Sequence, residues 1–380
     1  MNFDLSDEQE LLRDGLTRFL SMRYDFEKSR SAAKTGPGWQ PDIWRAFAGE
    51  LGILGAALPE DVGGIGGGPV EVMVIAEALG HALVIEPYVD TAVVAAGLLR
   101  RAGGDVASTV LGNIVTGRAI VALAAAEAEC GDHWHNASTT ARRDGADWIL
   151  DGAKIMAVGA PLATHLLVTA RTASGLSLFC VDVGTSGIDV HGYRTVDDRR
   201  AADLQFTGLR LPADTLLGEE GQAWPSLDRA RDEGAAAVCA EAVGGMRKVL
   251  ADRVEYCKQR HQFGQAIGSF QVLQHRMVDM DMELEQSVAA VYLAVLNLEA
   301  GPPTRARAVS AAKATIGRAA RFIGQNAVQL HGGVGMTQEF KVGHYFKRTT
   351  MIDLAFGDAD HHLGKLAEAG GLIAAEREAA

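Results

Sequence analysis

The sequence predicts a mainly α-helical protein with a small β-domain set between two helical parts. Three observations carry that expectation. Apolar residues recur at helical spacing through residues 1–115. From residue 119 to about 218 the texture changes to short apolar runs separated by turn signals. From about Ser226 onward, long helical periods return. We therefore expect an N-terminal helical domain over 1–118, an antiparallel β-barrel or sandwich domain over 119–220, and a C-terminal antiparallel four-helix bundle over 221–380.

Each element has its own signal. Ser6 with Gln9 three residues on forms a capping box, and Asp7 and Glu8 fall in the first turn, where the helix dipole favours acid. Leu12, Leu16, Phe19 and Leu20 follow at helical spacing. Pro41 opens a helix carrying Ile43, Trp44 and Phe47, with Gly52 as a stop. A glycine-rich loop, Pro59 to Gly68, precedes a further helix from Pro69 with Val70, Met73, Val74 and Leu79 on its inner face. The predicted strands are Trp148-Ile149-Leu150, Leu166-Leu167-Val168, Leu176 to Val181, Ile188-Asp189-Val190 and Leu204-Gln205-Phe206, with a turn at Ala173-Ser174-Gly175. The bundle segments are 226–258, 269–300, 305–331 and 341–376.

Composition bounds the function. A chain of 380 residues, at roughly 150 per domain, holds two to three domains. Against 48 acidic residues stand 36 basic ones, a net charge of −12, which argues against nucleic acid or an anionic membrane as partner. No apolar run reaches the roughly 18 residues of a membrane span, and the acidic N-terminus lacks the features of a signal peptide. Cys130, Cys180, Cys239 and Cys257 form no Cys-x-x-Cys pair and read as small core residues of a cytoplasmic protein.

Two stretches carry chemistry. Arg260-His261-Gln262-Phe263-Gly264-Gln265 lies at a helix-to-helix turn, followed by Ser269 as a candidate N-cap and by Phe270-Gln271. An arginine beside amides at a helix start suits a phosphate, and a capped turn stapled by Phe263 and Phe270 explains the same residues. Gln329-Leu330-His331-Gly332-Gly333-Val334-Gly335 places glycines just after an apolar helix, as a ligand approach or as a C-cap. Neither a Rossmann fingerprint nor a P-loop is present.

Taken with Pro59-Glu60-Asp61-Val62-Gly63-Gly64, these two stretches resemble the acyl-CoA dehydrogenase flavoprotein family from end to end. Within it, the runs Arg23 to Lys28 and Phe356 to Leu363 are most similar to pimeloyl-CoA dehydrogenase small subunits. The resemblance implies FAD, an acyl-CoA thioester, a role in fatty acid metabolism, a tetramer, and electron transfer to an electron-transferring flavoprotein. It implies a carboxylate base that removes a proton from Cα while hydride leaves Cβ. It assigns cofactor binding to Arg260, Gln262, Phe263, Gln271, Gln329, Gly332, Gly333 and Asp358, the arginine and glutamine motifs reaching a neighbouring subunit's FAD.

The chain departs from that pattern where the chemistry occurs. The family's usual base position falls on Phe356, and its other base position falls on Gly234, with Glu233 one residue out of phase. Asp358 and Glu241 are the nearest substitutes. The flavin-facing stretches of the family correspond to Ala126–His133 and to Met156-Ala157-Val158, without the usual hydroxyls and tryptophan. These departures imply a subunit of a hetero-oligomer that completes a related subunit's FAD site. Complete dehydrogenation by this chain with Asp358 or Glu241 as base, and a flavin monooxygenase or nitroalkane-oxidase-like activity, stand as alternatives. Metal binding at Asp358 to His362 with His331 or His344 is disfavoured, because adjacent helical histidines diverge by about 100°; no metal is expected. The stripe Val288, Val291, Val295 and Leu298 is either a subunit interface or the bundle's own core.

Overall fold

A computed structural model describes residues 4–131 and 133–370. Residues 371–376 of the fourth predicted bundle segment, and Asp132 of the run 126–133, lie outside the described residues. Helices come first: α1 (Asp7–Arg23), α2 (Phe26–Thr35), α3 (Pro41–Gly49), α4 (Pro69–Ala82), a π-helical segment Val89–Ala95 running into α5 (Ala96–Ala102), and α6 (Gly104–Val115). The capping box forms in both directions. Gln9 N–H donates to Ser6 Oγ at 3.3 Å, and Ser6 N–H to Gln9 Oε1 at 3.0 Å. Gly52 follows α3 in the left-handed region, with φ of 65°.

The strands follow: β1 (Val121–Ala124), β2 (Thr140–Asp144), β3 (Asp147–Val158), β4 (His165–Thr172), β5 (Gly175–Asp182), β6 (Ile188–Arg194), β7 (Arg200–Leu211) and β8 (Leu216–Leu217). They form one sheet in the order β6-β7-β3-β2-β4-β5-β8, with β1 added against β4. All five predicted strand segments are present. The expected antiparallel barrel is corrected to an open, mixed sheet. β1 pairs with β4 in parallel from Val121↔His165 to Ala124↔Val168, and β2 touches β4 in parallel at Thr140↔Arg171. β1 is an apolar run with little alternation, buried at three of its four positions, as parallel strands are. Its core includes Trp148, Leu150, Leu166, Val168, Phe179, Phe206 and Leu209.

The remaining elements are α7 (Trp224–Gln259), the hairpin β9 (His261–Gln262) and β10 (Gln265–Ala266), α8 (Gln271–Leu296), α9 (Pro302–His331), α10 (Lys341–Leu354) and α11 (Ala359–Ala369). The fourth predicted bundle segment is thus two helices, broken at Ala355–Asp358, where Phe356 and Gly357 take φ of 61° and 98°. Two compact units result. Of the described residues, one unit contains Asp25–Val72 and Ile85–Gly234 with the sheet; the other contains 4–24, Met73–Val84 and 235–370 and is helical apart from the β9–β10 hairpin. In the helical unit α4 and α7 cross backbone to backbone. A Cβ on Gly80 would meet Glu241 O at 1.9 Å, and one on Gly244 would meet Glu77 O at 1.9 Å, so only glycine fits at either position. Val291, Val295 and Leu298 are buried, which places that stripe in the bundle's own core. Among the described residues no helix is long and apolar enough to cross a membrane.

Candidate functional site

The arginine motif folds as a tight hairpin at the end of α7. Gln262 pairs with Gln265, leaving Phe263 and Gly264 as the two turn residues, with φ of 53° and 79°. Two positive φ values define the mirror-image turn that matches strand twist, which glycine and asparagine favour and phenylalanine does not. Phe263 is nonetheless there, 91% exposed, its ring edge-on to Phe270 at 6.1 Å. Arg260, Gln262 and Gln271 are all exposed. The expected N-cap is corrected: α8 begins at Gln271, Phe270 holds the cap position, and Ser269 Oγ donates to Ala266 O at 2.6 Å. The preceding turn folds the serine back on itself, which removes it from the helix start.

The glycine motif ends α9 and continues as a 3₁₀ turn, Gly332–Met336. Gly332 has φ of 68° and closes the helix. Gly333 has no such requirement: its φ lies outside the left-handed region and a Cβ there would meet nothing within 4 Å. Gln329, Gly332 and Gly333 are exposed, whereas His331 is buried and stacks on Tyr256 of α7 with centroids 4.5 Å apart. The two motifs therefore share one end of the helical unit, joined through Tyr256 and His331.

The carboxylates proposed as base substitutes are engaged elsewhere. Glu241 is buried, and Arg348 grips it with Nε at 2.6 Å and Nη2 at 2.7 Å. Asp358 is the N-cap of α11, accepting from His361 N–H at 2.8 Å. Glu233, in the sheet unit, accepts from Arg101 Nη1 at 2.9 Å on both oxygens and from Arg229 Nε at 2.9 Å. Phe356 occupies the break between α10 and α11, and side chains from elsewhere hold that break. Lys313 Nζ donates to Asp353 O and Gly357 O, each at 2.7 Å, and His362 Nε2 donates to Phe356 O at 3.1 Å. His362 Nδ1 then accepts from Ser310 Oγ at 3.0 Å, which commits both ring nitrogens. Burial and the charges of Lys313, Lys365 and His361 push its pKa down to about 3.

The sheet unit presents Met156 on a bulge of β3, where pairing with β7 slips between Lys154 and Ala157. Met156 has φ of 53° and is 40% exposed. Its N–H is already used: Asp203 Oδ1 accepts it at 3.0 Å and also accepts Tyr193 OH at 2.8 Å. Glu127 is likewise committed, to Lys154 Nζ at 2.6 Å, Ser138 N–H at 2.6 Å and Thr139 N–H at 3.1 Å. Burial raises its pKa, but the hydrogen bonds from Lys154 and Ser138 outweigh that and bring it down to about 2. Lys313, Arg348 and the Tyr193–Asp203 pair were not singled out from sequence, and His362 was weighed there only as a disfavoured metal ligand. The available signal was weak: polar residues within helical periods for Lys313 and Arg348, and polar residues on strands β6 and β7 for Tyr193 and Asp203.

Three family models, for the N-terminal, middle and C-terminal domains of acyl-CoA dehydrogenases, match residues 6–118, 122–209 and 223–371. The acyl-CoA dehydrogenase FadE12 of Mycobacterium tuberculosis is 31% identical over 363 residues, spanning 90% of each chain. Among solved structures, the Tcur3481-Tcur3483 steroid ACAD is 27% identical with a TM-score of 0.88, over 98% of this chain and 100% of that one. The FAD complex of PigA is 26% identical with a TM-score of 0.90, over the same shares. The chain belongs to the acyl-CoA dehydrogenase family.

Proposed function

We propose that this chain is the subunit of a hetero-oligomeric acyl-CoA dehydrogenase that completes a related subunit's FAD site, while its own base position is filled by Phe356. The observation that carries this reading is the division of the site residues. Arg260, Gln262, Phe263, Gln271, Gln329, Gly332 and Gly333 are exposed at one end of the helical unit, whereas Glu241, Asp358 and Glu233 are each committed to an arginine or a helix cap.

The nucleotide half of the site fits a dinucleotide. Arg260 supplies a cation for a diphosphate, Gly333 lets the backbone approach it while the Gly332 N–H caps α9 on Gln329 O, and the strained, exposed Phe263 offers a face for a planar ring. Gly333 has no packing reason within this chain to be glycine, as expected where an outside ligand approaches closely. The ring half fits less well, since the Met156 N–H is consumed by Asp203. When bound, FAD supplies a hydride acceptor for Cβ of an acyl-CoA thioester. The proton at Cα needs a base, which in this reading the related subunit provides, with electrons leaving to an electron-transferring flavoprotein. An exposed apolar row on α8, formed by Val272, Val278, Met282, Leu293 and Leu296, supports a subunit contact.

Co-expression with the neighbouring dehydrogenase gene tests the reading through FAD per chain and acyl-CoA dehydrogenation. The expected result is a colourless, inactive chain alone and, together, one FAD per pair of chains with activity. A full FAD on every copy of this chain, with dehydrogenation by it alone, overturns the proposal.

A further inference from the structure

The bulge on β3 leaves two backbone donors without a place in the ladder. Lys154 pairs with Leu204 and Ala157 with Ala202, so Ile155 and Met156 together oppose the single residue Asp203. Each displaced N–H needs another acceptor, from the chain or from a ligand. Ile155 N–H donates to Ala126 O at 2.9 Å. Met156 N–H donates to Asp203 Oδ1 at 3.0 Å. Both donors are thus satisfied within the sheet unit, and at Met156 the acceptor is a side chain that the sequence supplies for no ladder reason.

That acceptor is itself held in place. Tyr193 OH donates to the same Oδ1 at 2.8 Å and lies 3.7 Å from Met156 Sδ. Burial and the adjacent Asp203 push the Tyr193 pKa up to about 12, so the phenol keeps its proton at neutral pH. Among the described residues no basic side chain pairs with Asp203. A negative charge therefore stands beside Met156, which is on the accessible side of the bulge. The reactive edge of an oxidised isoalloxazine ring offers neutral acceptors, N5 and O4, and the ring becomes more electron-rich on reduction. A hydrogen bond to a carboxylate is roughly twice as strong as one to a neutral acceptor, so the ring does not displace Asp203 from the N–H.

We propose that Asp203, positioned by Tyr193, closes the ring half of this chain's own flavin site: its carboxylate takes the Met156 N–H and keeps an isoalloxazine ring out. This deepens the hetero-oligomer reading, on which it rests, by naming the residue that decides which subunit holds the ring. Asp203 determines specificity for the cofactor ring and Tyr193 is a positioning residue. Neither moves a proton or a hydride.

The test titrates the full chain, purified alone, with riboflavin, which carries the ring without diphosphate or adenine and so reads the ring half by itself. Quenching of riboflavin fluorescence reports binding. Asp203→Ala is expected to bind about tenfold more tightly than wild type, the gain from one donor released to the ring. Asp203→Asn keeps an acceptor on the N–H in the same volume and is expected to gain less than the alanine variant. Asp203→Ser, one atom shorter than aspartate, serves if the alanine variant does not fold, with the same gain expected. Hydrogen exchange on the peptide containing Met156, read by mass spectrometry, locates the effect. It is expected to be slow in wild type, faster in Asp203→Ala, and slow again once riboflavin is bound. A wild type that binds riboflavin as tightly as Asp203→Ala overturns the proposal. So does an alanine variant with no gain, an asparagine variant that gains as much as alanine does, or a gain that leaves exchange at Met156 unchanged. The FAD count in the co-expressed pair judges the hetero-oligomer reading by a separate measurement, so the two failures are told apart.

Discussion

Arg348 meets Glu241 with two nitrogens, and both side chains are largely shut off from water. Removing one member leaves the other charged and desolvated, so Glu241→Gln and Arg348→Met should each lower unfolding free energy by about 3 kcal/mol in urea melts. The double variant Glu241→Leu with Arg348→Met should recover most of that loss. A second residue-scale consequence concerns pH. His362 titrates at about 3 in the native chain against 6.5 when unfolded, so between those values the unfolded state binds a proton the native state refuses. Its contribution is complete above pH 6.5 and is lost as pH falls towards 3. At pH 5 the loss is about 2 kcal/mol, and His362→Gln should remove that part of the slope from a stability-versus-pH curve. Glu127 adds to the acid side, losing its contribution as pH falls from 4.5 towards 2. The pairing of these residues was not legible in the sequence, because a side chain's counter-charge comes from a distant segment. Glu241 and Arg348 are 107 positions apart.

At the scale of elements, the hairpin β9–β10 joins strain to exposure. Phenylalanine in the left-handed region costs about 1 kcal/mol, so Phe263→Asn should leave stability unchanged or slightly raised while FAD retention in the co-expressed complex falls. Denaturation midpoint and flavin absorbance, measured on the same preparation, separate the two effects. The capping box at Ser6 and Gln9, the proline start of α3 and the strand cores were all legible, because each depends on residues within one or two turns of chain. The break at Ala355–Asp358 was not. Apolar spacing continues through Leu354 and Phe356, and what interrupts the helix is Lys313 and His362 reaching two carbonyls from other helices. Likewise the parallel pairing of β1 with β4 is a matter of strand order, which no local pattern encodes.

For the whole molecule, the order of helices, sheet and helices followed from periodicity alone, while family membership needed the two motifs together. The distribution of site residues yields a stoichiometric expectation. If the exposed arginine and glycine motifs serve a neighbour, Arg260→Gln in this chain should deplete FAD from the partner, and the same absorbance measurement on the separated subunits reads it. Introducing a carboxylate tests the other half: Phe356→Glu should bring acyl-CoA dehydrogenation to this chain only if a flavin ring also reaches it.

That last substitution rests on the turn between α10 and α11. Lys313, His362 and Asp358 fasten its backbone, and none of them touches the side chain at 356 through the bonds that hold the turn. The frame of the turn is therefore bolted from outside, its backbone course set by residues of α9 and α11. A lineage could lose its reactive group there, keep its shape, and remain available as a structural companion to a copy that had kept it.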